Sequence, residues 1–300
     1  MIALILCAGL FQYNPVHAQD VEPRRWTTLP VGTNVIGAGY VRSNGDVFFD
    51  PVLQVQDAEV DAHTVAVSYV RTFALAGRAA RFDLLIPWQD IRWKGLLDGV
   101  PASVTRIGHA DPRLRLSVNL VGAPAMELDD YRNYVAANPI NTVVGAAIAV
   151  RVPVGEYFED KLLNLGQNRY IFVPQLGAVH TRGQWSYEVT GSALIFTDND
   201  EFFGGQKREQ DPIYALQGHV IRVFRPGLWA SASALYAKGG KSTVDSERKD
   251  DERGDFFAAL SFGFPVGQNH GVKVAYILSR TRRNTGADVN SILIAWSRRF

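Results

Sequence analysis

Histidines placed beside carboxylates are the residues of this sequence whose types could do chemistry. His63 follows Asp57, Glu59 and Asp61, and His109 precedes Asp111. An Asp/His pair able to activate water would form only if two distant loops met. His17, His180, His219 and His270 are scattered, without the i, i+4 or i, i+2 pairing that holds a metal. Asp57, Glu59 and Asp61 alternate as oxygen donors for Ca²⁺, yet they lack a glycine-kinked loop and fall short of the roughly six to eight ligands calcium takes. They read as an exposed acidic loop. Ser43 lies in Arg42-Ser43-Asn44-Gly45-Asp46, where Asn44-Gly45 reads as a β-turn. Asn164, Gly166, Asn168 and Gln210-Asp211-Pro212 read as loop geometry rather than ligand contacts. The expectation is therefore no catalytic residue, no cofactor and no metal.

The elements that would have to position any site explain why chemistry is scarce. Ile2 to Phe11 is an apolar run of signal-peptide length, and Val16-His17-Ala18 before Gln19 reads as a cleavage site. Residues 1–18 are thus expected to be a removable signal, and the missing basic residue after Met1 points to an upstream start. Cys7, the only cysteine, falls inside that segment, so neither a disulfide nor a thiol nucleophile is expected in the mature chain. No later run approaches the length of a membrane helix. A formal net charge of +1 gives no electrostatic case for a nucleic-acid partner. A chain that spans a membrane without such helices must do so as a closed barrel.

From Thr33 onward the chain falls into segments of about ten residues with period-2 alternation, the length that a tilted strand needs to cross a bilayer. They lie near 33–42, 63–74, 81–92, 113–120, 141–152, 169–181, 185–196, 212–224, 228–238, 255–264, 271–279 and 288–300. In 113–120, Leu114, Leu116, Val118 and Leu120 share one face, and Arg113, Arg115, Ser117 and Asn119 share the other. In 185–196, Trp185, Tyr187, Val189 and Ile195 oppose Ser186, Glu188 and Thr190. One face suits lipid and the other water. Aromatics near segment ends (Phe82 and Trp88, Trp185 and Phe196, Tyr214 and Phe224, Trp229 and Tyr236) are expected to form two girdles.

The connections alternate as a barrel with both termini in the periplasm requires. Long polar links at 43–62, 93–110, 153–168, 197–211, 239–254 and 280–287 alternate with tight ones at 76–80, 182–184, 225–227 and 265–271. The exception, 121–140, falls where an inner turn belongs, and Met126 to Ala137 after Pro124 predicts a short periplasmic helix. The last strand carries Ile292, Ile294, Trp296, Arg298 and a terminal Phe300 on one face. That end resembles the signal by which the barrel-assembly machinery recognises outer-membrane barrels.

The mature chain resembles, nearly end to end, the transporter family of the meta-pathway of phenol degradation. The resemblance rests on Asp111-Pro112-Arg113-Leu114-Arg115-Leu116, Val152-Pro153-Val154-Gly155-Glu156-Tyr157, Leu163-Asn164-Leu165-Gly166-Gln167-Asn168-Arg169, Phe196-Thr197-Asp198-Asn199-Asp200 and Glu209-Gln210-Asp211-Pro212. Gly227-Leu228-Trp229-Ala230-Ser231 and Gly239-Gly240 follow in the same order. It implies an all-β antiparallel transmembrane barrel of the outer membrane and a role in handling aromatic compounds.

The expected organisation is a signal at 1–18, a periplasmic segment at 19–32 that could also obstruct the lumen, and a barrel of about twelve strands over 33–300. The expected function is passive passage of small, aromatic or hydrophobic solutes across the outer membrane, whose lipid is a partner. The alternatives are an outer-membrane enzyme with a loop-borne site and a non-conducting structural barrel. Strand parity assigns Arg113, Arg115, Asn119, Gln175, Glu188 and Thr190 to the solute path.

Overall fold

The computed structural model describes residues 21–49 and 55–300. The signal-peptide reading and Cys7 lie outside the described residues. The alternating segments become β1 (Asn34–Phe48), β2 (Val55–Leu75), β3 (Arg78–Leu97), β4 (Val100–His109) and β5 (Arg113–Val121), followed by the helix α1 (Leu128–Ala137). Next come β6 (Ile140–Arg151), β7 (Ile171–Arg182), β8 (Trp185–Phe196), β9 (Asn199–Phe202), β10 (Gln206–Gln210) and β11 (Ile213–Arg225). The chain ends with β12 (Leu228–Gly239), β13 (Ser242–Val244), β14 (Glu247–Arg248), β15 (Arg253–Val266), β16 (His270–Thr281) and β17 (Gly286–Arg299).

Twelve of these strands close into an antiparallel ring, because β1 pairs with β2 on one side and with β17 on the other. Closure leaves no open edge, so every ladder hydrogen bond is made within the ring, as lipid demands. Gly145 pairs with Gly177 across β6 and β7, and Arg113 pairs with Arg151 across β5 and β6; both pairs matter below. At the end with the short turns, Ala76 and Gly77 both take positive φ, as a two-residue hairpin turn requires. The helix α1 caps the same end, which is periplasmic in an outer-membrane barrel.

The alternation sorts side chains as the physics of lipid and lumen requires. Tyr187, Val189 and Ile195 stand exposed on the outside of β8, while Glu188 and Thr190 are buried inside it. Trp88, Tyr214, Tyr236 and Trp296 are exposed outward, as girdle aromatics would be. Phe196 and Trp229 are not part of that girdle. Phe196 packs with the buried Ala149, Ile171 and Val173, and Trp229 lies under the Arg24 guanidinium at 5.4 Å. Each falls on the inward parity of its strand, so position near a strand end did not decide which way the ring points.

The outer links differ most from expectation. β1 and β2 run on through most of 43–62, and 93–110 is the end of β3 and all of β4, a hairpin rising beyond the ring. The Asn44-Gly45 turn is corrected, since Asn44 pairs with Asn290 and Gly45 with Val289 in mid-strand. Ser43 is buried there against the Ser291 hydroxyl at 2.7 Å. Parts of the links 197–211 and 239–254 likewise form a second sheet from β9, β10, β13 and β14. Above the membrane the outward face meets water instead of lipid, so only the inward row, with Val47, Val60, Ile91 and Trp93, stays apolar while pairing continues. The acidic residues of β2 make ion pairs instead: Asp61 lies 3.5 Å from Arg42 and 3.7 Å from His63, and Glu59 lies 3.5 Å from Lys94.

A loop over 152–168 folds against the outer end of the ring, and Asp111 pins it. Its two carboxylate oxygens accept the Gly155 and Gln167 N–H groups, each at 2.9 Å. Burial pushes the Asp111 carboxyl up, against the downward pull of those N–H groups. Leu165, at the far side of the loop, is buried among Val47, Val60, Ile91, Trp93 and Val289. Asp111→Ala removes both charge-assisted bonds, each worth about 1.5–3 kcal/mol. Limited trypsin digestion of the variant is expected to cut several times faster at the exposed Lys161, because the unpinned loop can extend into the protease, while the barrel keeps its heat-dependent gel mobility. Unchanged resistance at Lys161 would contradict the assignment of Asp111 as the pin.

Candidate functional site: the lumen and its internal segment

The inward rows of the strands do not enclose empty space at the turn end, because the chain before β1 doubles back into the ring. Thr33 and Thr72 tie it to the wall: the Thr33 amide donates to Thr72 Oγ1 at 3.0 Å, and the Thr72 amide donates to the Thr33 carbonyl at 3.0 Å. The Val31 amide donates to the Met126 carbonyl at 2.8 Å, linking the segment to the chain that leads into α1. From there residues 21–32 run inward, and Val21 ends buried among Val41, Leu235, Phe257 and Leu293.

Trp26 anchors this segment. Its indole is buried beside the paired glycines Gly145 and Gly177, where a Cβ on either would overlap the ring. Its N–H donates to Thr190 Oγ1 at 2.7 Å, and the Arg115 guanidinium lies over the ring at 5.0 Å. Glu188 holds the backbone on either side, accepting the Arg24 amide at 2.7 Å and the Trp26 amide at 3.4 Å. Lys273 reaches Glu22 at 2.7 Å, and Asn119 donates to Thr28 Oγ1 at 3.2 Å. A carboxylate, a hydroxyl, an amide and an ammonium from the wall thus each engage the internal segment.

The predicted site residues divide into two groups. Glu188, Thr190 and Asn119 bind the segment. Arg115 joins the two groups, since its Nε donates to Gln175 Oε1 at 2.8 Å and its Nη1 lies 3.4 Å from Asp83. Gln175 and Arg113 line a cavity of about 60 Å³ beyond the segment, toward the outer end. Arg151, Gln217, Arg253 and Asp255 line it too, and Val173, Leu194, Leu235 and Phe257 supply its apolar wall. Arg253 and Asp255 pair at 2.6 Å, and Arg113 and Arg151 place two more guanidinium groups on the same space. Sequence reasoning missed Trp26, the glycine pair, Arg151 and Arg253. The two glycines lie on the inward rows of 141–152 and 169–181, and their coincidence in register was the signal that could have found them.

Several polar atoms on this inner surface have no protein partner among the described residues. They include Arg115 Nη2, Gln217 Oε1, Ser231 Oγ and Asp255 Oδ1. Buried polar groups are rarely left so, and such a set suits a lumen that carries water or solute. Among the described residues no group of three or more His, Cys, Asp or Glu could hold a metal. His63 donates to or accepts from Tyr40 at 2.6 Å, and His109 faces Glu156 at 3.6 Å. Neither meets the other, so the two Asp/His neighbourhoods stay apart.

A closed ring of twelve antiparallel strands with an apolar outer belt and a polar, internally filled lumen defines an outer-membrane β-barrel. A sequence model of the family described as "Putative MetA-pathway of phenol degradation" matches residues 40–289, and the chain belongs to that family. Its fold is similar to that of an outer membrane channel from Pseudomonas putida F1, with a TM-score of 0.75 at 19% identity, covering 93% of this chain and 100% of that one. The translocator domain of the autotransporter NalP from Neisseria meningitidis aligns with a TM-score of 0.49 at 10% identity, covering 95% of this chain and 94% of that one. No curated protein sequence matches the chain.

Proposed function

We propose that the barrel is a passive outer-membrane channel for small solutes that combine an apolar body with an anionic group, such as aromatic acids. The observation that carries this reading is the pairing of Arg113 with Arg151 directly across β5 and β6, both on the lumen cavity. Like charges opposite one another destabilise a sheet. Three guanidinium groups gathered beside an apolar wall, those of Arg113, Arg151 and Arg253, suit an anion with an apolar skeleton. The internal segment 21–32 is the gate of this path. Family membership and the channel fold of its structural relative support the same reading.

Export by cleavage after Ala18 and assembly through the C-terminal strand belong to the proposal. The position of Phe300 supports the latter: its amide donates to the Asn34 carbonyl at 2.9 Å, and the Asn34 amide donates back at 3.2 Å, so this residue helps close the ring. Uptake of labelled benzoate and glucose into proteoliposomes tests the function. Benzoate is expected to enter several times faster than through protein-free vesicles, with glucose near background. Equal rates for both solutes, or none for benzoate, would overturn the proposal.

A further inference from the structure

A second cavity, of about 260 Å³, lies outside the ring's lumen, at the outer rim between the tall β2–β3–β4 ribbon and the loop over 158–163. Its walls include Phe49, Trp93, Leu97, Val104, Leu163 and Phe203. The charged side chains that line it are Lys94, Arg106, Asp160 and Lys161. Asp160 is paired with Lys161, and Lys94 with Glu59 at 3.5 Å. Arg106 is different: its Nε and Nη1 donate to the main-chain carbonyls of Leu163 and Thr105, each at 3.0 Å, rather than to a carboxylate. Arg106 thus bonds main-chain acceptors, and the Asp160 carboxylate in the same wall attracts it through space rather than through a hydrogen bond.

Trp93 adds an independent observation. It is 4% exposed, lines this cavity, and its indole N–H has no acceptor among the described residues. A buried donor in an apolar wall is costly unless something accepts its hydrogen bond.

We propose that this rim cavity is a binding site for a small aromatic molecule of one or two rings that carries a single anionic or hydrogen-bond-accepting oxygen. The ring skeleton would pack against Phe49, Trp93 and Phe203, whose faces and edges favour aromatic partners. The oxygen would accept from the Arg106 guanidinium and, after a small shift of the wall that covers it, from the Trp93 N–H. A volume just under the range of about 300–1,000 Å³ typical of drug-sized ligands sets the limit of one or two rings. The site stands apart from the lumen cavity, so it serves capture at the outer surface rather than passage.

The test is calorimetric binding of 2-naphthoate and of naphthalene to the full mature chain in lipid nanodiscs, with empty discs subtracted. Wild-type protein is expected to bind 2-naphthoate saturably, and Val104→Trp, which fills the cavity, to weaken it at least tenfold. Trp93→Phe removes the donor together with part of the ring, so it should weaken 2-naphthoate by about tenfold, the effect of one lost hydrogen bond to a charged acceptor, with naphthalene reporting the packing alone. Naphthalene should change less than twofold in that variant. Gel mobility before and after heating establishes that each variant is folded. No saturable binding by wild type, or binding unmoved by both variants, overturns the site. The lumen reading is judged separately, because Val104→Trp should leave benzoate flux through vesicles unchanged.

Discussion

Reversing the paired arginines, Arg113→Glu with Arg151→Glu, is expected to turn an anion-preferring channel into a cation-preferring one. At about 4 Å a unit charge contributes about 1 kcal/mol even in bulk water, and about four times that near a protein surface. Two charges reversed in a lumen cavity of about 60 Å³ should therefore move the anion-to-cation permeability ratio by about tenfold or more. The reversal potential in a salt gradient reads this directly. The double variant keeps like charges opposite one another across β5 and β6 but loses the attraction between Arg151 and Asp111, so heat-dependent gel mobility establishes first that the barrel is folded. A reversal potential that does not shift would remove these arginines from the path.

Removing the internal segment is expected to have the second large effect. Deletion of 19–32 takes away Trp26 and every contact that Glu188, Thr190, Asn119 and Lys273 make with it. Swelling of proteoliposomes in small sugars should then rise about tenfold or more over the intact chain, because the lumen of a barrel this size is narrow unless unfilled. Two point variants grade the result. Glu188→Ala removes two charge-assisted bonds, each worth about 1.5–3 kcal/mol, and Gly177→Leu forces a side chain into the space of the Trp26 indole. Both should fall between the intact and deleted chains. Equal swelling across the series would mean that the segment is not the gate.

What could be read from residues alone follows from where a period-2 pattern has a cause. Within the bilayer, lipid on one side and lumen on the other force alternation, and so 113–120 and 185–196 stand out with Leu116 and Val189 outward and Arg115 and Glu188 inward. Above it that cause ends. The tall ends of β1 to β3, with Asp61 opposite Arg92 and Asn44 opposite Asn290, are held by cross-strand pairs and look like polar loops in one dimension. The internal segment was harder still. Val21 to Gly32 has no period, and what fixes it lies far along the chain: the Gly145–Gly177 pair, Thr190 and Glu188. The loop residues Asp111 and Leu165 are legible only as parts of motifs that the family resemblance marks, since their partners Gly155 and Ile91 belong to other elements.

Single-channel recording in planar bilayers, comparing the refolded chain from Gln19 onward with the same chain lacking 19–32, tests most directly whether the lumen is a gated path for anionic solutes. The expected result is rare, short openings in the intact chain and steady current steps in the deleted one. Benzoate, but not glucose, should reduce those steps, and the reduction should vanish in the Arg113→Glu, Arg151→Glu background. A folded, inserted barrel that passes no current in either form would contradict the account.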